Sequence, residues 1–215
     1  MKRRPILIAI ALVALLSACA ALGGKQTPFA IYSPRLAPAA VTASTASVSW
    51  QLLVESPRAS DALDSTRIAV MSAPGVLEVF PAARWRDPAP RLLRSLIVQA
   101  FDESGRIVGV SGSTSGLSAD YTLAIELRDF QAEVDGDALS AVIRLHAKLF
   151  DPRANRIVAT RRFDVSTPAA GNDVAAAVNA FEQALDELLP QLVDWTLQTG
   201  TQAQQRESAS NATKP

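Results

Sequence analysis

YTLAIELRDFQAEVDGDALSAVIRLHAKLFDPRANRIVATRRFDV, residues 121–165, alternates apolar and polar side chains through three consecutive runs. In the first, Tyr121, Leu123, Ile125 and Leu127 hold odd positions, but after Asp129 the apolar residues Phe130, Ala132 and Val134 are even. Successive side chains of a strand point to opposite faces, so this change of phase predicts a bulge or kink near Arg128-Asp129. Asp135-Gly136 is a hairpin signal. The second run keeps Leu139, Ala141, Ile143, Leu145, Ala147 and Leu149 in one phase, with Arg144, His146 and Lys148 in the other. After a turn at 151–155, Ile157, Ala159, Arg161, Phe163 and Val165 alternate with Arg156, Thr160, Arg162 and Asp164. The pattern is that of an antiparallel meander with one buried face and one wet, basic-tinged face.

The cover for the buried face follows in the chain. Asn172 or Asp173 is placed to cap a helix reaching about Leu197, and Val174, Val178, Phe181, Leu185, Leu188, Leu192 and Trp195 form its stripe at 4-3-4-3-4-3 spacing. Pro190 lies inside it and predicts a kink near Asp186 to Leu189. Upstream, strands are expected at Ser47 to Glu55, Arg67 to Ser72 and Gly75 to Phe80, the last two joined by the turn signal Pro74-Gly75. Asp87-Pro88 reads as the N-cap and first position of another helix, with Leu92, Leu93, Leu96, Ile97, Ala100 and Phe101 as its stripe and Gly105 as its stop. Ile107 to Val110 is a short strand, and Ser111 to Ser118 a Ser/Gly/Thr loop. With both helices on the odd-residue face, the fold class is α/β: a two-layer sandwich of a mixed, mostly antiparallel sheet of about six or seven strands and two helices on one face.

Outside this core the composition changes. Residues 19–46 are rich in Ala, Pro, Ser, Thr and Gly and read as a tether, interrupted by the apolar patch Phe29-Ala30-Ile31-Tyr32, of the kind that docks back onto a domain. Residues 199–215 are polar and small and predict a disordered tail, leaving 47–198 as the folded domain. Near the start, Lys2, Arg3 and Arg4 precede an uncharged apolar run from Ile6 to Leu16, the layout of a secretory signal over 1–18. At about 11 residues the run is too short for the roughly 20 that cross a bilayer as a helix.

Composition narrows the chemistry. The chain has 21 basic and 21 acidic residues; without Lys2, Arg3 and Arg4 the balance is 18 against 21, a net of −3, which disfavours nucleic acid as a partner. Cys19 is the one cysteine, so disulfides and thiolate metal sites in the domain are excluded. His146 is the one histidine and sits in the polar phase of its strand between Arg144 and Lys148. A general base needs a nucleophile and an orienting acid within reach, and the sequence implies neither, so a solvated surface role is expected. Asp135-Gly136-Asp137 lacks the further ligands of a calcium loop. The Ser-rich segment at 111–118 matches neither a nucleophile elbow nor a phosphate loop. The expectation is a protein that is not an enzyme and takes no cofactor or metal.

Two resemblances extend this reading. Leu16-Ser17-Ala18-Cys19 resembles the lipobox of bacterial lipoproteins. It implies cleavage before Cys19, a diacylglycerol thioether on it and a fatty acyl chain on its amino group. Ala20, where an Asp would favour inner-membrane retention, implies an outer-membrane anchor facing the periplasm. Ala83-Arg84-Trp85-Arg86-Asp87-Pro88 with the following leucine helix, the run Leu63-Asp64-Ser65-Thr66-Arg67-Ile68-Ala69-Val70, the Phe29–Tyr32 patch and the late helix with Phe181, Leu185 and Trp195 together resemble the ABC-type transport auxiliary lipoproteins, which include paraquat-inducible protein C-type lipoproteins. The resemblance covers about Phe29 to Thr196.

It implies a non-catalytic docking component of a lipid or apolar-solute transport system, with mammalian-cell-entry domain proteins and ABC transporter subunits as partners. Self-association is a further implication, since a ring-shaped partner is matched by a symmetric one. Arg84 and Trp85 are the candidate contact residues: an indole is a frequent interface anchor, though packing at the helix start is the alternative for Trp85. Asp87 either pairs with Arg84 or caps the helix. Rival functions are a lipoprotein that activates a cell-wall synthase or stabilises an envelope assembly complex, and a periplasmic lipid carrier.

Overall fold

The structure is a computed structural model that describes residues 28–37, 47–112 and 119–212, and within them the chain forms eight strands and two helices. In chain order they are β1 (Ala30–Tyr32), β2 (Val48–Val54), β3 (Arg67–Ala73), β4 (Val76–Trp85), α1 (Ala89–Ser104), β5 (Ile107–Ser111), β6 (Tyr121–Asp135), β7 (Ala138–Asp151), β8 (Arg156–Pro168) and α2 (Val174–Ala212). All eight strands belong to one sheet. The signal segment, Cys19 and most of the Ser-rich loop lie outside the described residues.

The meander is the spine of the sheet. β6 and β7 pair antiparallel from Thr122↔Phe150 to Asp135↔Ala138, and the register shifts between Leu127 and Asp129, at the predicted change of phase. The shift keeps Leu127 and Phe130 both buried, so each half of β6 turns its apolar residues to the same side. It also marks a fork. Along the other edge of β6, residues 121–123 pair in parallel with β2, and residues 131–133 with β3. One branch is therefore β2-β5, the other β3-β4-β1. Gly136 (φ 59°) opens the β6-β7 turn and Gly75 (φ 79°) follows Pro74 in the β3-β4 turn, where positive φ favours glycine.

Both helices contribute to a single core with the odd residues of β7: Leu92, Leu93, Ile97 and Phe101 from α1, and Phe181, Leu185, Leu188 and Leu192 from α2, all fully buried. The two-layer sandwich is thus as expected. The additional strand is β1, where the Phe29–Tyr32 patch pairs in parallel with β4, Tyr32 opposite Trp85. Asp173 caps α2, its carboxylate accepting the Ala176 N–H at 2.7 Å.

Four expectations are corrected. α2 does not stop near Leu197 but runs through Pro190 to Ala212, so residues 199–212, read as a disordered tail, are helical. Ala203 is buried, and the Tyr121 hydroxyl donates to the Gly200 carbonyl at 3.3 Å. Residues 29–37, assigned to the tether, belong to the folded body: after β1, the backbone N–H groups of Arg35 and Ala37 donate to the carboxylates of Glu182 and Asp186 on α2, each at 3.0 Å. The N-cap of α1 is Pro88, with Pro90 inside the first turn; Asp87 does not cap the helix or pair with Arg84 but bonds the neighbouring Arg86 at 3.0 Å. Ile157, placed in the buried phase of β8, is 55% exposed, because a register shift after Leu149 sets it opposite Phe150 on the uncovered face.

Candidate functional site

The helices cover one face of the sheet and leave the other bare, so the candidate surfaces lie on the bare face. Residues facing each other across paired strands share a face. Phe150 and Ile157 are such partners, as are Ala124 and Lys148. These residues line a solvent-open groove of about 290 Å³, with the exposed side chain of Arg58 and Glu126 beside them. Sequence reasoning missed this groove. Phe150 is an apolar residue in the polar phase of its strand, and that was its signal.

Next along the same face is a saturated arginine. The Arg144 guanidinium bonds Asp129 at 3.2 Å, Glu133 at 3.1 Å and Asp164 at 3.1 Å. Partial burial works against its charge, but these three carboxylates outweigh it and push its pKa up. His146 is half-buried on this face and accepts the Arg162 Nε–H at 3.2 Å. Among the described residues, no group of three or more His, Cys, Asp or Glu could hold a metal ion.

Arg84 and Trp85 separate completely. Trp85 is 1% exposed and meets Phe181 and Phe130 edge-on, with ring centroids 5.3 and 5.7 Å apart. It is a core residue, not a contact point: strand alternation at the end of β4 turns it toward the helices. Arg84 is turned the other way, onto the bare face, with its guanidinium 3.9 Å from the Phe29 ring centroid.

A second polar cluster joins the end of α2 to the meander. Asp151 is buried and accepts the N–H groups of Arg153 at 2.9 Å and Ala154 at 3.0 Å. Burial pushes its pKa up, yet the Ala154 N–H, the Glu207 carboxyl, the Arg153 N–H and the Arg156 charge together hold it below the ordinary value. Arg156 also bonds Glu207 at 3.1 Å. Trp50 Nε1 is buried beside them without a hydrogen-bond partner among the described residues, against a space of about 60 Å³. That space suffices for one water.

These features define a class: a one-sheet α/β domain with one helix-covered face and one open face, preceded by a segment strapped to its second helix. Comparison makes the class a family. Residues 33–193 match the ABC-type transport auxiliary lipoprotein component, and the chain belongs to that family. It is similar to a Xanthomonas campestris protein of the DUF330 family, whose crystal structure has 41% sequence identity and a TM-score of 0.76, covering 82% of this chain and 99% of that one. An uncharacterized protein of Bradyrhizobium diazoefficiens is 31% identical over 163 residues, 75% of this chain but 42% of the relative's own length. A further crystal structure, of an uncharacterized protein with 16% identity and a TM-score of 0.62, covers 78% of this chain and 97% of its own, and shares the fold. The family's description is that of an auxiliary lipoprotein component of ABC-type transport, a kind of protein found in the cell envelope. Among the described residues no helix is long and apolar enough to cross a membrane.

Proposed function

We propose that the protein is a non-catalytic docking component of a transport system built from ABC subunits and a mammalian-cell-entry domain protein, anchored through an acylated Cys19 to the periplasmic face of the outer membrane. Family membership over 33–193 carries this reading. The bare sheet face supports it: a groove floored by Phe150 and Ile157 and bordered by Arg58, Glu126 and Lys148 offers apolar anchors within a polar rim, as protein interfaces do. The −3 balance and the Cys19 motif favour a tethered periplasmic domain. A ring-shaped partner would be matched by self-association of this chain.

The carrier alternative is less well supported. A pocket enclosing a drug-sized ligand takes about 300–1,000 Å³ and buries most of it. The open groove of about 290 Å³ falls short of enclosing a lipid. The test is affinity co-purification of the tagged, full-length protein from detergent-solubilised envelopes. ABC and mammalian-cell-entry subunits should be enriched in the eluate. Recovery of a cell-wall synthase or an outer-membrane assembly complex in their place would establish the rival docking role.

A further inference from the structure

On β3, Arg67, Ala69 and Met71 alternate onto one face, opposite in phase to Ile68 of the helix-covered core; Arg67 is exposed, Met71 half-buried and the small Ala69 between them buried. Their partners on β4 are Arg84, Val79 and Leu77, and the partner of Arg84 on β1 is Ile31. Arg67, Arg84, Leu77, Val79, Ile31 and Phe29 therefore share the bare face of the β3-β4-β1 branch. Four of them are large apolar residues in the open: Phe29 is 58% exposed, Ile31 66%, Val79 42% and Leu77 38%. The two arginines stand directly opposite each other, and among the described residues neither is in an ion pair. Like charges facing across a strand pair are destabilising, and an anion between them reverses the sign.

We infer that this branch is a membrane-docking surface that lays Phe29, Ile31, Val79 and Leu77 against the interfacial region of a bilayer, with Arg67 and Arg84 on anionic phospholipid head groups. The inference rests on the proposed anchor at Cys19. Position decides between a bilayer and another occupant. Phe29 follows Cys19 by ten positions, and Lys25 lies between them. Ten residues in any conformation span at most about 36 Å, less than the roughly 40 Å across a domain of this size. The lipid-bearing end therefore keeps Phe29 within about 36 Å of the bilayer, by a shorter link than any other part of the sheet has. A surface held this close needs little intrinsic affinity, because its contact is intramolecular. The combination of an exposed aromatic, aliphatic side chains and cations is what an interfacial site uses.

The experiment couples the mature chain through its Cys19 thiol to a maleimide lipid in vesicles of phosphatidylethanolamine and phosphatidylglycerol, so that attachment does not depend on native acylation. A benzophenone side chain replaces Ile31, or for comparison Val108, which is 70% exposed on β5 in the other branch. The Ile31 probe should label lipid several-fold more than the Val108 probe. Arg67→Glu with Arg84→Glu should reduce that labelling by about five-fold per arginine, as expected for loss of head-group attraction, and phosphatidylcholine vesicles should do the same. Equal labelling at both positions, high or low, or labelling insensitive to the double substitution in a variant with unchanged melting, overturns the inference. Acyl labelling of Cys19 in cells is a separate readout, so failure of the anchor is distinguishable from failure of the docking face.

Discussion

Gly200 lies so close to Trp50 that a Cβ on it would stand 2.5 Å from the indole Cζ2. The Trp50 ring is 2% exposed and meets Tyr121 edge-on at 5.1 Å, so it is held among buried neighbours. This contact is what carries α2 past Leu197 and turns a polar-looking terminus into part of the domain. In an exposed helix Gly→Ala stabilises by about 1 kcal/mol. Gly200→Ala is predicted to do the reverse and destabilise by about 1–3 kcal/mol through overpacking. Denaturant unfolding of the pair of proteins measures the sign, and a gain in stability would mean that residues beyond Leu197 do not hold this packing in solution.

Trp85 and Arg84, adjacent in sequence, should behave oppositely. Trp85→Ala removes an indole from the aromatic cluster with Phe130 and Phe181 and should cost about 3–5 kcal/mol. Arg84→Ala, at the surface, should stay within about 0.5 kcal/mol. Thermal melts of both variants check this; similar small losses would place Trp85 outside the core.

Asp151 links stability to pH. Its folded pKa is lowered, so its contribution is fully present above the unfolded value of about 3.9 and is lost as pH falls through the folded value. Asp151→Asn should therefore cost about 1.5–3 kcal/mol near neutral pH, the range for hydrogen bonds to a charged group. The gap from the parent should narrow as the pH falls below the unfolded value and through the lowered folded one. A gap that does not change between neutral and acid conditions would show that the carboxylate charge is not what the 151–155 turn uses.

Cys19→Ser should abolish acyl labelling and leave an uncut precursor at the inner membrane or a soluble form. Normal labelling and outer-membrane fractionation of that variant would remove the proposed anchor.

Much of the fold was legible in the sequence because period-2 and heptad-like patterns survive wherever one face is buried. The phase change at Arg128-Asp129 located the bulge, the Pro74-Gly75 and Asp135-Gly136 pairs located the turns, and Asp173 located the start of α2. What escaped depends on non-local partners. The polar composition of residues 199–212 carries no trace of Trp50, from which they are separated by most of the chain. Residues 30–32 form a strand by pairing with the edge of β4, and Trp85 is recognisable as core only where α2 brings Phe181 against it. The groove hid behind a register shift that turns Ile157 over to Phe150. For the site, the sequence separated the bare face from the covered one, but with Arg84 and Trp85 it chose neighbours that point in opposite directions.

In the proposed function the bare face docks a component of a transport bridge. A benzophenone side chain in place of Lys148, at the groove, tests it in living cells that express the whole system. Irradiation should give one adduct whose partner, identified by mass spectrometry, is the mammalian-cell-entry domain protein or an ABC subunit. An adduct with a cell-wall synthase, or no adduct from a probe at Lys148 while the protein is folded and membrane-bound, would contradict it.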